Sequence, residues 1–166
     1  MNTFCLSLFF SLAGSLFAQQ FHSVSKIPTV DSIYFQAIQM GYQERYIEAL
    51  RFFDLVIALD PNVEQIYLDR GIIKSRLGDL HGAIADYSLQ LKFSPKEADV
   101  YFLRGEIYLS QNDYSNAFRD LRRANRLDKG NADAHCYCAE AAKALNKNQI
   151  AKRKEVKCKL LNSSND

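Results

Sequence analysis

Thirty-four residues separate Pro61 from Pro95, Tyr67 from Tyr101, Gly71 from Gly105 and Ala83 from Ala117. The same step joins Arg70 to Arg104 and Asp86 to Asp120. Identities repeated at one fixed lag mean one supersecondary unit stacked on copies of itself. A single unit of that size cannot bury its own apolar face, so each neighbour supplies the missing wall. Arrays of this kind build extended binding surfaces. The chain therefore reads as an interaction module, with no enzymatic activity expected.

Two copies are strong. Residues 64–95 carry Tyr67, Gly71, the turn Leu77-Gly78-Asp79, then Ala83, Tyr87 and Pro95. Residues 98–129 keep Tyr101, Gly105, Tyr108, Tyr114, Ala117 and Ala124. There Asn112-Asp113 stands at the turn, and Asn tolerates left-handed backbone. Lys129-Gly130 replaces the closing proline. One step earlier, residues 30–61 have a clear second half in Tyr46, Ala49, Phe53, Leu59 and Pro61. Their first half is degenerate, with Ile33 at the aromatic position and Ala37 where glycine is expected. One step later, residues 132–161 keep Ala132, Ala139, Leu145, Asn146 and Ala151, with His135 at the first aromatic position. The final stretch is rich in Lys and Arg, as a capping helix is, with Ile150, Ala151, Cys158 and Leu161 expected to turn inward.

This pattern resembles the tetratricopeptide repeat, a helix–turn–helix unit of 34 residues. The resemblance implies an all-α fold: a right-handed superhelical solenoid of antiparallel helix pairs. It gives about three repeats (30–63, 64–97 and 98–131) and a C-terminal capping helix pair (132–161). Helix pairs are expected at 31–43 with 46–59, 64–77 with 80–93, 98–111 with 114–127, and 132–145 with 148–161. The resemblance also implies that the first helices line a concave groove. They would offer it Tyr34, Ile38, Leu68, Ile72, Phe102 and Glu106, an apolar and aromatic surface suited to a protein or peptide partner. The Lys, Asn and Arg with which the family's carboxylate-clamp subgroup grips chaperone tails are missing at these places. The alternative is that residues 19–29 or a neighbouring helix cover the strip and make it core.

Arg70 and Asp86 are sixteen residues apart, as are Arg104 and Asp120. Positions so spaced meet across the two antiparallel helices of a hairpin. Both pairs are expected as salt bridges within a repeat that set its register, rather than as ligands.

The first eighteen residues stand outside the repeat. Phe4 to Ala18 is an uncharged, mostly apolar run of fifteen. It is short for a membrane span, which needs about 20 residues, but suits the hydrophobic part of an export signal. Cleavage after Ala18 is expected, giving an exported, periplasmic or secreted protein with a linker at 19–29 and a frayed tail at 162–166. Membrane association would come only through an uncleaved anchor or peripheral contact. Cys5 would leave with the signal, so Cys136, Cys138 and Cys158 remain, an odd number that cannot all pair within one chain.

The chemistry of catalysis is missing from the motifs. There is no Gly-rich phosphate loop, no paired-histidine zinc helix and no nucleophile elbow. His22, His81 and His135 are scattered and read as ordinary surface or semi-buried residues. No cofactor and no metal are expected. Cys136 and Cys138, two apart on a helix, point nearly opposite ways and cannot grip one ion comfortably. Core packing is the favoured reading of the cysteines, with a disulfide from the cap's first helix to Cys158, or metal binding, left open.

Residues 30–70 carry seven acids against three arginines, and residues 129–166 carry eight bases against four acids. The basic stretch Lys143–Lys159 lacks the interleaved aromatics of a nucleic-acid groove, so no nucleic acid is expected. Three readings of function follow. The first is an exported scaffold or adaptor of the cell envelope that holds a polypeptide in its groove. The second is a thiol-redox or metal-handling protein using the C-terminal cysteines. The third is a structural subunit of an envelope assembly.

Overall fold

A computed structural model describes residues 28–163. The expected export segment, most of the linker and residues 164–166 lie outside the described residues. Eight α-helices succeed one another there, with no strand between them: α1 (Val30–Tyr42), α2 (Tyr46–Leu59), α3 (Ile66–Arg76), α4 (Leu80–Phe93), α5 (Ala98–Ser110), α6 (Tyr114–Leu127), α7 (Ala132–Ala144) and α8 (Asn148–Asn162). They form an all-α solenoid of four hairpins, α1–α2, α3–α4, α5–α6 and α7–α8, each stacked on the next. Every helix starts and stops within two residues of the span that the repeat spacing predicts. The largest difference is at α3. Gln65 takes a left-handed backbone, with φ of 63°, and the helix therefore starts at Ile66. At the other end α8 runs on through Asn162, which the sequence reading placed in the tail.

Each hairpin turns through one residue of left-handed backbone, at Glu44, Gly78, Asn112 and Asn146. These stand 34 residues apart, so the turn recurs even where its residue does not. Glycine and asparagine adopt that conformation readily; glutamate does so at a cost, which the packed hairpin must cover. The residue after each turn stands at the N-cap of the second helix, and in the two middle hairpins it is an aspartate that caps it. Asp79 accepts from the Gly82 amide at 2.9 Å, and Asp113 from the Asn116 amide at 3.1 Å. Such caps are worth about 1 kcal/mol each. The terminal hairpins put Arg45 and Lys147 there, and neither makes a side-chain cap.

The core runs through the stack as three clusters. Phe53, Val56 and Ile66 close the front, Tyr87, Leu91 and Val100 the middle, and Leu121, Cys138 and Ala142 the rear. Small residues set the closest approaches. A Cβ on Gly71 would lie 2.7 Å from the Tyr87 ring, and one on Gly105 would lie 2.8 Å from Leu121 Cγ. Ala83 and Ala117, on the facing helices, are fully buried.

Candidate functional site

The first helices α1, α3, α5 and α7 run side by side, and two hollows open between them. The front hollow, of about 400 Å³, is lined by Ile38, Tyr42, Glu44, Tyr46, Asp69, Ile72 and Arg76, with Phe53 at its base. The second, of about 520 Å³, is lined by Ile72, Arg76, Leu80, Tyr87, Leu103 and Glu106. Ile72 and Arg76 border both, so the two hollows are neighbours on the groove side of α1, α3 and α5, with α3 shared between them.

Of the residues expected in the groove, Ile38, Ile72 and Glu106 line it. Glu106 is exposed, and the five apolar or aromatic side chains are half-buried instead of standing free. Each has a reason. Tyr34 meets Phe53 edge-on at 6.2 Å, so its own hairpin uses it. Its hydroxyl also donates to the Asp69 carboxylate of the next hairpin. Burial, followed by that bond, pushes the Tyr34 phenol well above its ordinary range, and burial raises Asp69 as well. Leu68 packs on the middle core cluster. Phe102 stacks flat on Tyr137, with centroids 5.7 Å apart. The strip is thus partly a seam between repeats, as the alternative of cover by a neighbouring helix has it. Coverage by residues 19–27 lies outside the described residues.

Two groove residues, Tyr42 and Arg76, escape a reading by repeat pattern, and so does Tyr137, which stacks on Phe102 and lines neither hollow. Tyr42 is 82% exposed at the lip of the front hollow, which makes it the most accessible ring there. The signal that finds two of them is simple. Tyr34, Ile38 and Tyr42 follow one another at four-residue steps, as do Leu68, Ile72 and Arg76, so one more turn along the same helix face reaches both.

The charge pairs hold the walls of this groove. Arg70 grips Asp86 with two hydrogen bonds of 2.9 and 2.6 Å, and Arg104 grips Asp120 with two of 2.7 and 3.2 Å. Both aspartates are 1% exposed. Each arginine also reaches back one repeat: Arg70 Nη1 lies 2.7 Å from Asp54, and Arg104 Nη1 lies 2.8 Å from Ser88 Oγ. The pairs therefore set register within a hairpin and tie it to the hairpin before.

In the cap the corresponding positions hold Cys138 and Lys154, and no such clamp is made. A disulfide between Cys136 on α7 and Cys158 on α8 takes its place. The favoured core-packing reading is thus corrected for these two cysteines and holds for Cys138 alone, which is free and fully buried. Burial raises its thiol above the usual range, which suppresses the thiolate that redox chemistry needs. His135 is buried near the same place, with Nδ1 3.3 Å from Lys154 Nζ. Among the described residues no three His, Cys, Asp or Glu side chains converge as a metal site, and no helix is long and apolar enough to cross a membrane.

Comparison with known proteins agrees with this architecture. Residues 98–131 match the family model of the tetratricopeptide repeat. The chain is 31% identical over 90 residues, 53% of its length, to Tetratricopeptide repeat protein 13 of Homo sapiens. It is 27% identical over 123 residues, 72% of its length, to the DnaJ homolog subfamily C member 7 homolog of Dictyostelium discoideum. It spans only 10% and 23% of those two proteins. Among solved structures, MamA (41-end) from Desulfovibrio magneticus RS-1 superposes with a TM-score of 0.76 at 19% identity, over 85% of this chain and 80% of that one. A crystal structure of MamA gives 0.78 at 14% identity, over 85% and 82%. Likeness at such identities is a likeness of fold. With one hairpin recurring at a single step from Val30 to Asn162, and its third copy matching the family model, the chain is built as a solenoid of tetratricopeptide-repeat type.

Proposed function

We propose that this protein is a non-enzymatic scaffold that holds a polypeptide partner in the groove formed by its first helices. The observation that carries the reading is the adjacency of the two hollows, which share Ile72 and Arg76 of α3. An extended chain or a helix laid across α1, α3 and α5 could fill both at once, which a small molecule could not. Apolar recesses with polar rims are what peptide recognition of this kind uses. A photo-crosslinking residue at Tyr42 tests it directly, with one at the exposed Ile47 on α2 as control. A polypeptide captured from Tyr42 and not from Ile47, and lost on adding Ile72→Arg, supports the groove. Equal capture from both positions, or capture from Ile47 alone, refutes it.

The scaffold is proposed to work outside the cytoplasm. The apolar run Phe4–Ala18 motivates this, and the Cys136–Cys158 bond supports it, since such bonds persist mainly in oxidising compartments. N-terminal sequencing of the mature protein is the test. A chain beginning at Met1 in the cytoplasmic fraction refutes export.

A further inference from the structure

The groove is lined by rings and acids together. One turn along α5 from Glu106, which lines the second hollow, Phe102 stacks on Tyr137 with the planes 4° apart, giving an aromatic floor between α5 and α7. Glu106 stands one turn from Phe102 on α5, and Asp133 and Glu140 stand one turn to either side of Tyr137 on α7, so the three acids share the helix faces that carry the two rings. After burial, their negative charge is what holds the Tyr137 phenol above its usual range. All three carboxylates are exposed, and none takes part in any of the ion pairs that the described residues form. Glu106 reaches forward as well, since it also opposes ionisation of Tyr87 in the second hollow. The front hollow adds Glu44 and the rings of Tyr42 and Tyr46. Asp69 is occupied by Tyr34. Against these acids the two hollows carry one base, Arg76. Lys143 and Lys159 lie farther back beside the disulfide, with Glu140 and Glu155.

We propose that the groove takes a basic, amphipathic segment of a partner protein: apolar side chains fill the two hollows, and Lys or Arg side chains lie over the Phe102–Tyr137 floor among Glu106, Asp133 and Glu140. This rests on the groove reading above. A lysine or arginine stem covers aromatic surface while its charged head meets carboxylates. An acidic segment would meet the same carboxylates with little to offset them, so the rim selects against it as well as for its opposite.

Three labelled peptides with the same leucine spacing test the proposal against the full chain by fluorescence anisotropy. Their remaining positions are all Lys, all Gln or all Glu. The Lys peptide is expected to bind about tenfold more tightly than the Gln peptide, with the Glu peptide weakest, and its affinity to fall as salt is raised. The triple variant Glu106→Gln, Asp133→Asn, Glu140→Gln should lose that preference at an unchanged melting temperature. Ile72→Arg should weaken all three peptides. Equal binding of the three overturns the charge assignment and leaves the groove reading standing. Binding of none overturns both. One further outcome concerns α8, whose Val156 and Leu160 are exposed among lysines and arginines. If the protein alone forms oligomers that Lys152→Glu with Lys157→Glu dissociates, the occupant is a second copy's α8 and the partner assignment is overturned.

Discussion

Gly105 and Leu121 lie so close that a single methyl group on the glycine would come within 2.8 Å of Leu121 Cγ and 3.3 Å of the Leu121 backbone nitrogen. Leu121 is fully buried. Helix propensity favours a larger residue at this place by up to about 1 kcal/mol, but overpacking costs about 1–3 kcal/mol, so the clash wins. Gly105→Leu should lower the melting temperature by several degrees in a thermal scan followed by circular dichroism. An unchanged midpoint would mean that α5 and α6 do not meet in this register.

Arg104→Met should be more damaging than its surface neighbours suggest. It leaves Asp120, 1% exposed, as a buried carboxylate whose remaining ion-pair neighbour is Arg119 at 3.7 Å. Breaking one side of a buried pair costs about 3–5 kcal/mol. Changing both partners, Arg104→Met with Asp120→Leu, should recover much of that loss. Urea unfolding of the two single variants and the double variant measures the coupling. Additive losses would show that the bidentate pair does not act as a unit.

Reduction should loosen the C-terminal hairpin first. The Cys136–Cys158 bond closes a loop with a separation of 22 residues, and removing such a link costs about 3 kcal/mol. Ala151 is the one residue of α8 that is buried, with Ile150 packed beside it on the rear core cluster. Cys136→Ser with Cys158→Ser should speed amide hydrogen exchange in α7 and α8 while α3 to α6 keep their protection. Cys138 should resist a thiol reagent in the native protein and react once the hairpin opens. Uniform exchange along all eight helices would count against a locally weak cap.

The cap should also weaken in mild acid. Burial, aided by the positive charge of Lys154, lowers the His135 pKa from its ordinary 6.5, so the folded protein binds this proton less readily than the unfolded chain does. The stabilising contribution of neutral His135 is complete above that ordinary value and is lost as pH falls through the lowered folded value. Melting temperatures taken from neutral into mildly acidic buffer should fall, and His135→Gln should flatten that part of the profile. A profile identical in the variant would refute the assignment.

The positions of the helices were legible because packing residues recur at one step, and packing is what a repeat must preserve. Arg70 and Arg104 were legible for the same reason: their partners sit at one separation in both repeats. The groove was harder to read. Tyr42 and Arg76 are exposed and Tyr137 packs on the rear core cluster, and at none of their positions does a residue recur from repeat to repeat, so no recurrence marks them. The strip itself looked free in sequence because the Phe102–Tyr137 stack joins residues of adjacent repeats, whose facing depends on the stacking of hairpins. The disulfide was hidden by a similar gap. Helical geometry says that Cys136 and Cys138 point opposite ways, but only the crossing of α7 and α8 decides which of them meets Cys158. Glu44 shows a local rule overridden, since its left-handed backbone follows from the hairpin and not from its own preference.

A stack of hairpins bends and twists at the boundaries between its units. Arg70 spans the first of these through Asp54, and Arg104 spans the second through Ser88. At the third, Asn125 donates to the carbonyl of Ala134 at 2.9 Å. Curvature along the groove is therefore fixed before any ligand arrives, and the entropy lost on binding falls mostly on the incoming segment. A surface of this kind chooses among sequences by how readily each adopts one shape. A partner already stiffened, by proline or by a preformed helix, would gain affinity without making a single new contact.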